Sequence, residues 1–163
     1  MIKNFKWLLL VSLTFVACDN NDIEDENAAV EVPITAGSAS FAKYVALGDS
    51  FAAGYSDNAL FKAGQEKSYV NILAQQMIPA GGTTITIPYM ADNFGGLLYG
   101  GNVITNNRLA ILGLLPNGTP NIGTIPGAST TEVTTHLTGT FNNLGIPGAK
   151  SYHLVAPGYG NTA

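Results

Sequence analysis

An apolar run at residues 44–47 leads directly into a Gly-Asp-Ser turn at residues 48–50. A short apolar run bounded by glycine is typical of a strand buried on both faces, as in a parallel sheet. Small residues at 52–54 allow a helix to begin at once and to pack closely against the turn. The order of strand, serine turn and helix therefore predicts an α/β fold with Ser50 at the carboxyl end of a sheet.

Ser50 is the candidate reactive side chain of this turn. The free backbone N–H groups at the start of a helix favour negative charge nearby. A serine hydroxyl is a weak nucleophile, and it needs a neighbouring base, normally a histidine oriented by a carboxylate. Because glycine, aspartate and serine all favour turns, the tripeptide by itself is equally consistent with a plain turn.

Residues 68–77 predict a second helix. Ser68 is suited to the N-cap position, and Pro79 with the glycine pair that follows ends the helix. The positions at helical spacing are Tyr69, Ile72, Leu73 and Gln76.

Between about residues 80 and 140 the composition changes to Gly, Pro, Thr and Asn with short apolar clusters. No period is sustained, which favours loops with short strands or one short helix around residues 108–115. A loop-rich insertion beside a catalytic strand either shapes a pocket or covers the sheet edge. The sequence leaves both roles open.

A second motif lies at residues 143–149, which read Asn-Leu-Gly-Ile-Pro-Gly-Ala. Together with the Gly-Asp-Ser turn and Gly54, it resembles two blocks of the GDSL (SGNH) family of serine esterases. The first block of that family is Gly-Asp-Ser with a glycine four residues beyond the serine, and the second is Asn-x-x-x-x-Gly. The resemblance covers residues 43–58 and 141–155.

This resemblance implies a three-layer α/β/α sandwich with a parallel sheet, and it gives each block a role. Ser50 would be the nucleophile, and the backbone N–H groups of Ser50 and Gly148 would form the oxyanion hole, with Gly145 as the alternative donor. One such donor is typically worth about 10² to 10³ in rate. The supporting motif residues are Gly48, Asp49, which would stabilise the turn rather than act as the triad acid, Gly54 and Asn143.

Two further blocks of the family, Gly-x-Asn-Asp and Asp-x-x-His, are missing from these 163 residues. Gly160-Asn161 is the nearest approach to the former, and neither His136 nor His153 has an aspartate three residues upstream. We therefore expect an incomplete sandwich, the N-terminal part of a longer reading frame. Without the base, this polypeptide by itself is expected to be inactive.

The N-terminus has the order of a secretory signal peptide, with Lys3 and Lys6 followed by an apolar run at 7–17 and then Cys18. The run has about half of the roughly 20 residues that a membrane span needs. Cys18 is the only cysteine, and it stands where a lipoprotein signal is cleaved and acylated. The sequence predicts a signal over 1–18 with lipidated Cys18; an ordinary signal peptide with an incidental cysteine is the alternative.

An acidic segment follows the cysteine and carries six of the eleven acids of the chain. Because such a segment repels itself and buries no core, residues 19–40 are predicted to be a flexible tether and residues 41–163 the hydrolase domain. The remainder has few charges and no basic patch, which argues against nucleic acid as a partner. The six acids are Asp19, Asp22, Glu24, Asp25, Glu26 and Glu31.

The expected function is hydrolysis of acyl esters, whether of lipids, short-chain esters or acetylated glycans, by a protein anchored through Cys18 in the outer membrane, facing the surface or the periplasm. The alternative is a non-catalytic surface lipoprotein that binds glycans or an outer-membrane partner. No cofactor is implied. The spacing of His136 and His153 in the chain does not match that of ligands in a metal site.

Overall fold

The computed structural model describes residues 33–159, which form a mixed α/β structure. The predicted signal peptide, Cys18, the tether up to residue 32 and Gly160-Asn161 lie outside the described residues. None of the described helices has the length and apolar character that a bilayer span requires. The helices are α1 (Ser50–Ala53), α2 (Lys62–Glu66) and α3 (Tyr69–Met77), with 3-10 turns at Ile78–Ala80 and Ser151–Val155.

Seven short strands form three separate sheets. The strands are β1 (Ala46–Gly48), β2 (Leu97–Tyr99), β3 (Asn102–Val103), β4 (Leu109–Leu114), β5 (Pro120–Thr124), β6 (Thr131–Glu132) and β7 (Asn143–Gly145). β1 and β7 are parallel neighbours, although 94 residues lie between Gly48 at the end of β1 and Asn143 at the start of β7. β2 pairs with β3 antiparallel and with β6 parallel, and β4 forms a hairpin with β5.

The core lies between the β1–β7 sheet, α1 and α3. Ala46, Ala52 and Val70 form its centre, and each is at most 9 % exposed. Small side chains allow α1 to lie directly on the sheet, because a short helix covers little area and must approach closely to exclude water. This packing holds the serine turn at the carboxyl end of β1.

The prediction that the first strand is buried on both faces is wrong. Ala46 faces the helices, but Val45 and Leu47 are 57 % and 58 % exposed. The side chains of a strand alternate between its faces, and α1 and α3 cover the face that carries Ala46. Within residues 33–159 the opposite face has no comparable cover.

Helix α3 confirms the predicted cap, since the Ser68 Oγ accepts a hydrogen bond from the Asn71 N–H at 3.3 Å. The buried face differs from the predicted one. Val70 and Ala74 are buried, whereas the predicted positions Tyr69, Ile72 and Leu73 are between 42 % and 53 % exposed, and Gln76 is exposed as well. Helix α3 lies close to α1, and close approach selects the side with smaller side chains.

The predicted short strands between residues 80 and 140 are present, and residues 109–114 form a strand rather than a helix. Ile111 and Ile122 are opposite each other across the β4–β5 pair. Gly118 takes a φ of +81° in the connecting turn, a conformation that glycine adopts without steric cost. A cross-strand pair and a glycine turn favour the hairpin over a helical turn.

Candidate active site

The serine turn is held by its own side chains and by glycine. Asp49 caps α1, because its Oδ1 accepts a hydrogen bond from the Phe51 N–H at 3.1 Å. Gly54 ends the helix in the left-handed conformation, with φ +83°. A Cβ on Gly54 would also lie 2.7 Å from the carbonyl oxygen of Gly64, so that no side chain fits there. Ser50 is thereby fixed as the first residue of α1, and it is half-buried.

Gly48 and Gly145 allow the sheet and α1 to touch. A Cβ on Gly48 would lie 2.7 Å from the Cβ of Ala52, and a Cβ on Gly145 would lie 2.8 Å from the same atom. Real Cβ atoms do not approach so closely, so both positions require glycine on packing grounds.

Asn143 ties β7 to α1. Its side chain is 2 % exposed, its Nδ2 donates to the Ala52 carbonyl at 2.6 Å, and its Oδ1 accepts from the Gly145 N–H at 2.9 Å. Both halves of the buried amide are therefore paired, as buried polar groups require. The Gly145 N–H is occupied by this bond, which leaves the next glycine of the motif to face the serine.

That glycine is Gly148, whose N–H donates to the Ser50 Oγ at 3.4 Å. The two residues meet because β1 and β7 are parallel, so that their carboxyl ends lie at the same edge of the sheet. Gly148 has a φ of +80°, and apart from its chain neighbours nothing lies within 4 Å of where its Cβ would be. Backbone conformation rather than packing therefore favours glycine here.

As the first residue of a helix, Ser50 has no intrahelical acceptor for its N–H group. Two backbone amides therefore lie close to the Ser50 hydroxyl, its own and that of Gly148. Paired backbone donors stabilise an oxyanion where both point at the same oxygen.

Neither histidine is hydrogen-bonded to Ser50. The Nδ1 of His153 accepts from the Lys150 N–H at 3.1 Å, and its ring stacks on Tyr159 with centroids 4.4 Å apart. His136 is exposed. Residues 33–159 thus place no histidine base against the serine, and they contain no cluster of three or more His, Cys, Asp or Glu side chains able to hold a metal ion.

Two cavities flank the segment 147–149. The larger, about 530 Å³, includes Pro147 in its wall, and the smaller, about 270 Å³, includes Asp49 and Ala149. Much of the larger cavity is lined by the loop-rich insertion, for example by Met90 and Leu97. Of the two roles that the sequence left open for this insertion, the structure therefore shows pocket lining.

Two buried or half-buried polar side chains that the sequence analysis missed hold this insertion in place. Gln65, 2 % exposed, donates to the Pro88 carbonyl at 2.9 Å and accepts from the Met90 N–H at 2.7 Å. Asp92 accepts from the N–H groups of Phe94 and Gly95 and from both the N–H and the hydroxyl of Thr130. A single Gln or Asp has no sequence signature of this role, because its hydrogen-bond partners are up to 38 residues away.

The pKa of Asp92 reflects this network. Partial burial raises it, but the hydrogen bonds from Thr130, Phe94 and Gly95 outweigh burial and hold the pKa below its ordinary value. A carboxyl with a lowered folded-state pKa stabilises the fold above its unfolded-state pKa of about 4, and that contribution is lost as the pH falls through the folded-state value.

We therefore expect Asp92→Asn to lower the free energy of unfolding at pH 7 and to flatten its decline below about pH 4. Chemical denaturation across this pH range measures both effects. Glu66→Gln, which changes an exposed carboxyl, is the matched control and should leave the decline of the free energy of unfolding at acid pH unchanged. If the free energy of unfolding declined equally at acid pH in wild type and Asp92→Asn, the stabilising role of the Asp92 carboxylate would be contradicted.

Comparison of the chain with protein-family models, with curated proteins and with solved structures found no match.

Proposed function

We propose that this protein is a serine ester hydrolase of the GDSL (SGNH) type with Ser50 as its nucleophile. The observation that supports it is the approach of the Gly148 N–H to the Ser50 Oγ, at 3.4 Å, across two motifs about 100 residues apart in the chain. A plain structural turn does not need a second motif to present a backbone donor to its serine.

In the proposed reaction, the Ser50 Oγ attacks the ester carbonyl carbon and its proton passes to a base. The carbonyl oxygen becomes negative and accepts hydrogen bonds from the Ser50 and Gly148 N–H groups. The C–O bond to the alcohol then breaks, and the alcohol leaves with a proton. Water hydrolyses the acyl-serine to the carboxylic acid and restores Ser50.

Among residues 33–159 neither histidine is hydrogen-bonded to Ser50, so the base of this scheme is not assigned to either of them. The functional test therefore uses the protein as its natural host makes it. For its fold we propose the three-layer α/β/α sandwich, which extends the observed parallel β1–β7 pair.

We also propose that acylated Cys18 anchors the protein in the outer membrane. The acidic segment after Cys18 and the short apolar run before it support this location. Membrane association that survives unchanged in Cys18→Ala would count against the anchor.

A fluorophosphonate probe tests the function directly, because it reacts with serine hydroxyls that a hydrolase activates. We expect the protein as its natural host makes it to be labelled at Ser50, with the site mapped by mass spectrometry, and Ser50→Ala to remain unlabelled. Ser56→Ala, at an exposed serine just beyond α1, is the control and should label normally. An unlabelled wild-type protein would favour the non-catalytic surface lipoprotein instead.

A further inference from the structure

We infer that the hairpin formed by β4 and β5 inserts its tip into the apolar boundary of a lipid bilayer. Every residue from 111 to 122 is exposed, so no other described part of the chain covers this stretch. An exposed apolar cluster marks a contact with another molecule or with a membrane. Five large apolar side chains, exposed by between 43 % and 71 %, form the cluster: Ile111, Leu112, Leu114, Leu115 and Ile122.

The apolar side chains lie on both faces of the hairpin. Ile111 and Ile122 are cross-strand partners and share one face. Leu112 lies on the opposite face, where its Cδ1 is 2.9 Å from the position that a Cβ on Gly123 would take. A hairpin docked on a protein has one face packed and the other in water, whereas hydrocarbon surrounds an inserted hairpin on both faces. The two-sided pattern therefore favours lipid over a protein partner.

The hairpin also carries no charge. Residues 109–131 contain no Asp, Glu, Lys, Arg or His, and the charges that flank this stretch in the chain are Arg108 and Glu132. Arg108 lies at the base of the hairpin, where its guanidinium is 3.9 Å from the Asp57 carboxylate. Because a charged side chain is costly in hydrocarbon, the absence of charge beyond this base suits the hairpin to a bilayer.

The turn at the tip pairs its polar groups internally. The Leu115 N–H donates to the Thr119 carbonyl and the Gly118 N–H donates to the Leu115 carbonyl, both at 2.8 Å. The Asn117 Oδ1 accepts from the N–H and from the hydroxyl of Thr119, at 3.1 and 2.7 Å. Unpaired backbone polar groups are costly where water is absent. These bonds lower the cost of moving the turn out of water.

The unpaired edges of the hairpin limit the depth of insertion. Among the described residues, β4 and β5 pair only with each other, so each has one free edge. The N–H and C=O groups of a free edge need water or polar headgroup atoms as partners. We therefore place the tip at the boundary between headgroups and acyl chains, with the rest of the two strands at headgroup level.

A nitrobenzoxadiazole fluorophore, whose emission depends on the polarity around it, tests this placement. Cys18 is the only cysteine of the chain, so Leu115→Cys in the full chain with Cys18→Ala gives one labelling site and removes the acyl anchor. On phosphatidylcholine vesicles we expect its emission to rise and to shift to shorter wavelength. Leu137→Cys, at an exposed apolar residue outside the hairpin, is the matched control and should show no shift. An unshifted Leu115 probe would overturn the inference.

Leu114→Asn measures what the apolar surface contributes to binding. Leu114 is 71 % exposed in water, so its replacement in the Cys18→Ala chain should weaken vesicle binding at least about tenfold. Leu137→Asn should leave binding unchanged. Both variants share the apolar run at 7–17, so a difference between them comes from the changed residue. Equal vesicle binding by the two variants would contradict insertion of the hairpin.

Pairing of the hairpins of two copies is the competing outcome, because free strand edges can pair with another chain. Sedimentation of the Cys18→Ala chain without lipid distinguishes the two. A dimer that dissociates in Leu114→Asn, together with an unshifted Leu115 probe, would replace the bilayer by a second copy. A monomer with a shifted probe supports the bilayer. Neither measurement depends on the reactivity of Ser50, so the proposed hydrolase function and this inference stand or fall separately.

Discussion

Gly145→Ala is expected to lower the free energy of unfolding by about 3 kcal/mol. The new Cβ would lie 2.7 Å from the carbonyl carbon of Ala52 and 2.8 Å from its Cβ, and it would also meet the backbone N of Ala53. Backbone atoms cannot rotate away as the end of a flexible side chain can. The substitution would force α1 away from the sheet, and the lost stability would come from the packing that holds Ser50. Chemical denaturation of the full chain measures it.

Gly148→Ala is the matched comparison in the same motif. Its Cβ would meet nothing within 4 Å, and the strain of a φ of +80° costs about 1–2 kcal/mol. The alanine keeps the backbone N–H, so labelling of Ser50 should persist in this variant. A stability loss at Gly148 that equals or exceeds the loss at Gly145 would contradict the packing role assigned to Gly145.

The 163-residue polypeptide is expected to hydrolyse a p-nitrophenyl ester no faster than its Ser50→Ala variant. General-base catalysis contributes about 10² to 10⁴ in rate, and neither histidine among the described residues is hydrogen-bonded to Ser50. The oxyanion donors alone do not make the hydroxyl nucleophilic at neutral pH. Initial rates at matched protein concentration measure the difference. Turnover by this polypeptide that disappears in Ser50→Ala would show that a base is present after all.

In the protein as its natural host makes it, the same Ser50→Ala change should lower kcat by at least about 10³, because it removes the nucleophile on which the other groups act. Substitution of His153 by Gln in that protein should leave kcat unchanged, since the His153 Nδ1 is already bonded to the Lys150 N–H. A large loss of activity in His153→Gln would make that histidine a candidate for the base.

Local chemistry made several features readable from the sequence. The Ser68 cap and the end of the following helix depend on residues a few positions apart, and both were predicted from them. The strand, turn and helix around Ser50 were predicted for the same reason, although the strand begins at Ala46 and the helix has only four residues.

Features set by distant contacts were not readable in this way. The faces of β1 and α3 were misjudged because burial depends on which elements cover them, and side-chain hydrophobicity alone does not say so. Leu47 is exposed although it is apolar, and Asn143 is buried although it is polar, since its amide satisfies a carbonyl on α1 and an N–H in β7. The roles of Gln65 and Asp92 depend in the same way on loops brought together by the fold.

The amino-acid sequence alone determined that a serine turn would begin a helix after a short strand, because caps, glycines and apolar runs act over a few residues. Only the tertiary structure decided that Gly148 rather than Gly145 donates to Ser50 and that the insertion lines a cavity with Pro147 in its wall. Both depend on the parallel pairing of β1 with β7, a contact between segments about 100 residues apart whose register is set by packing against α1.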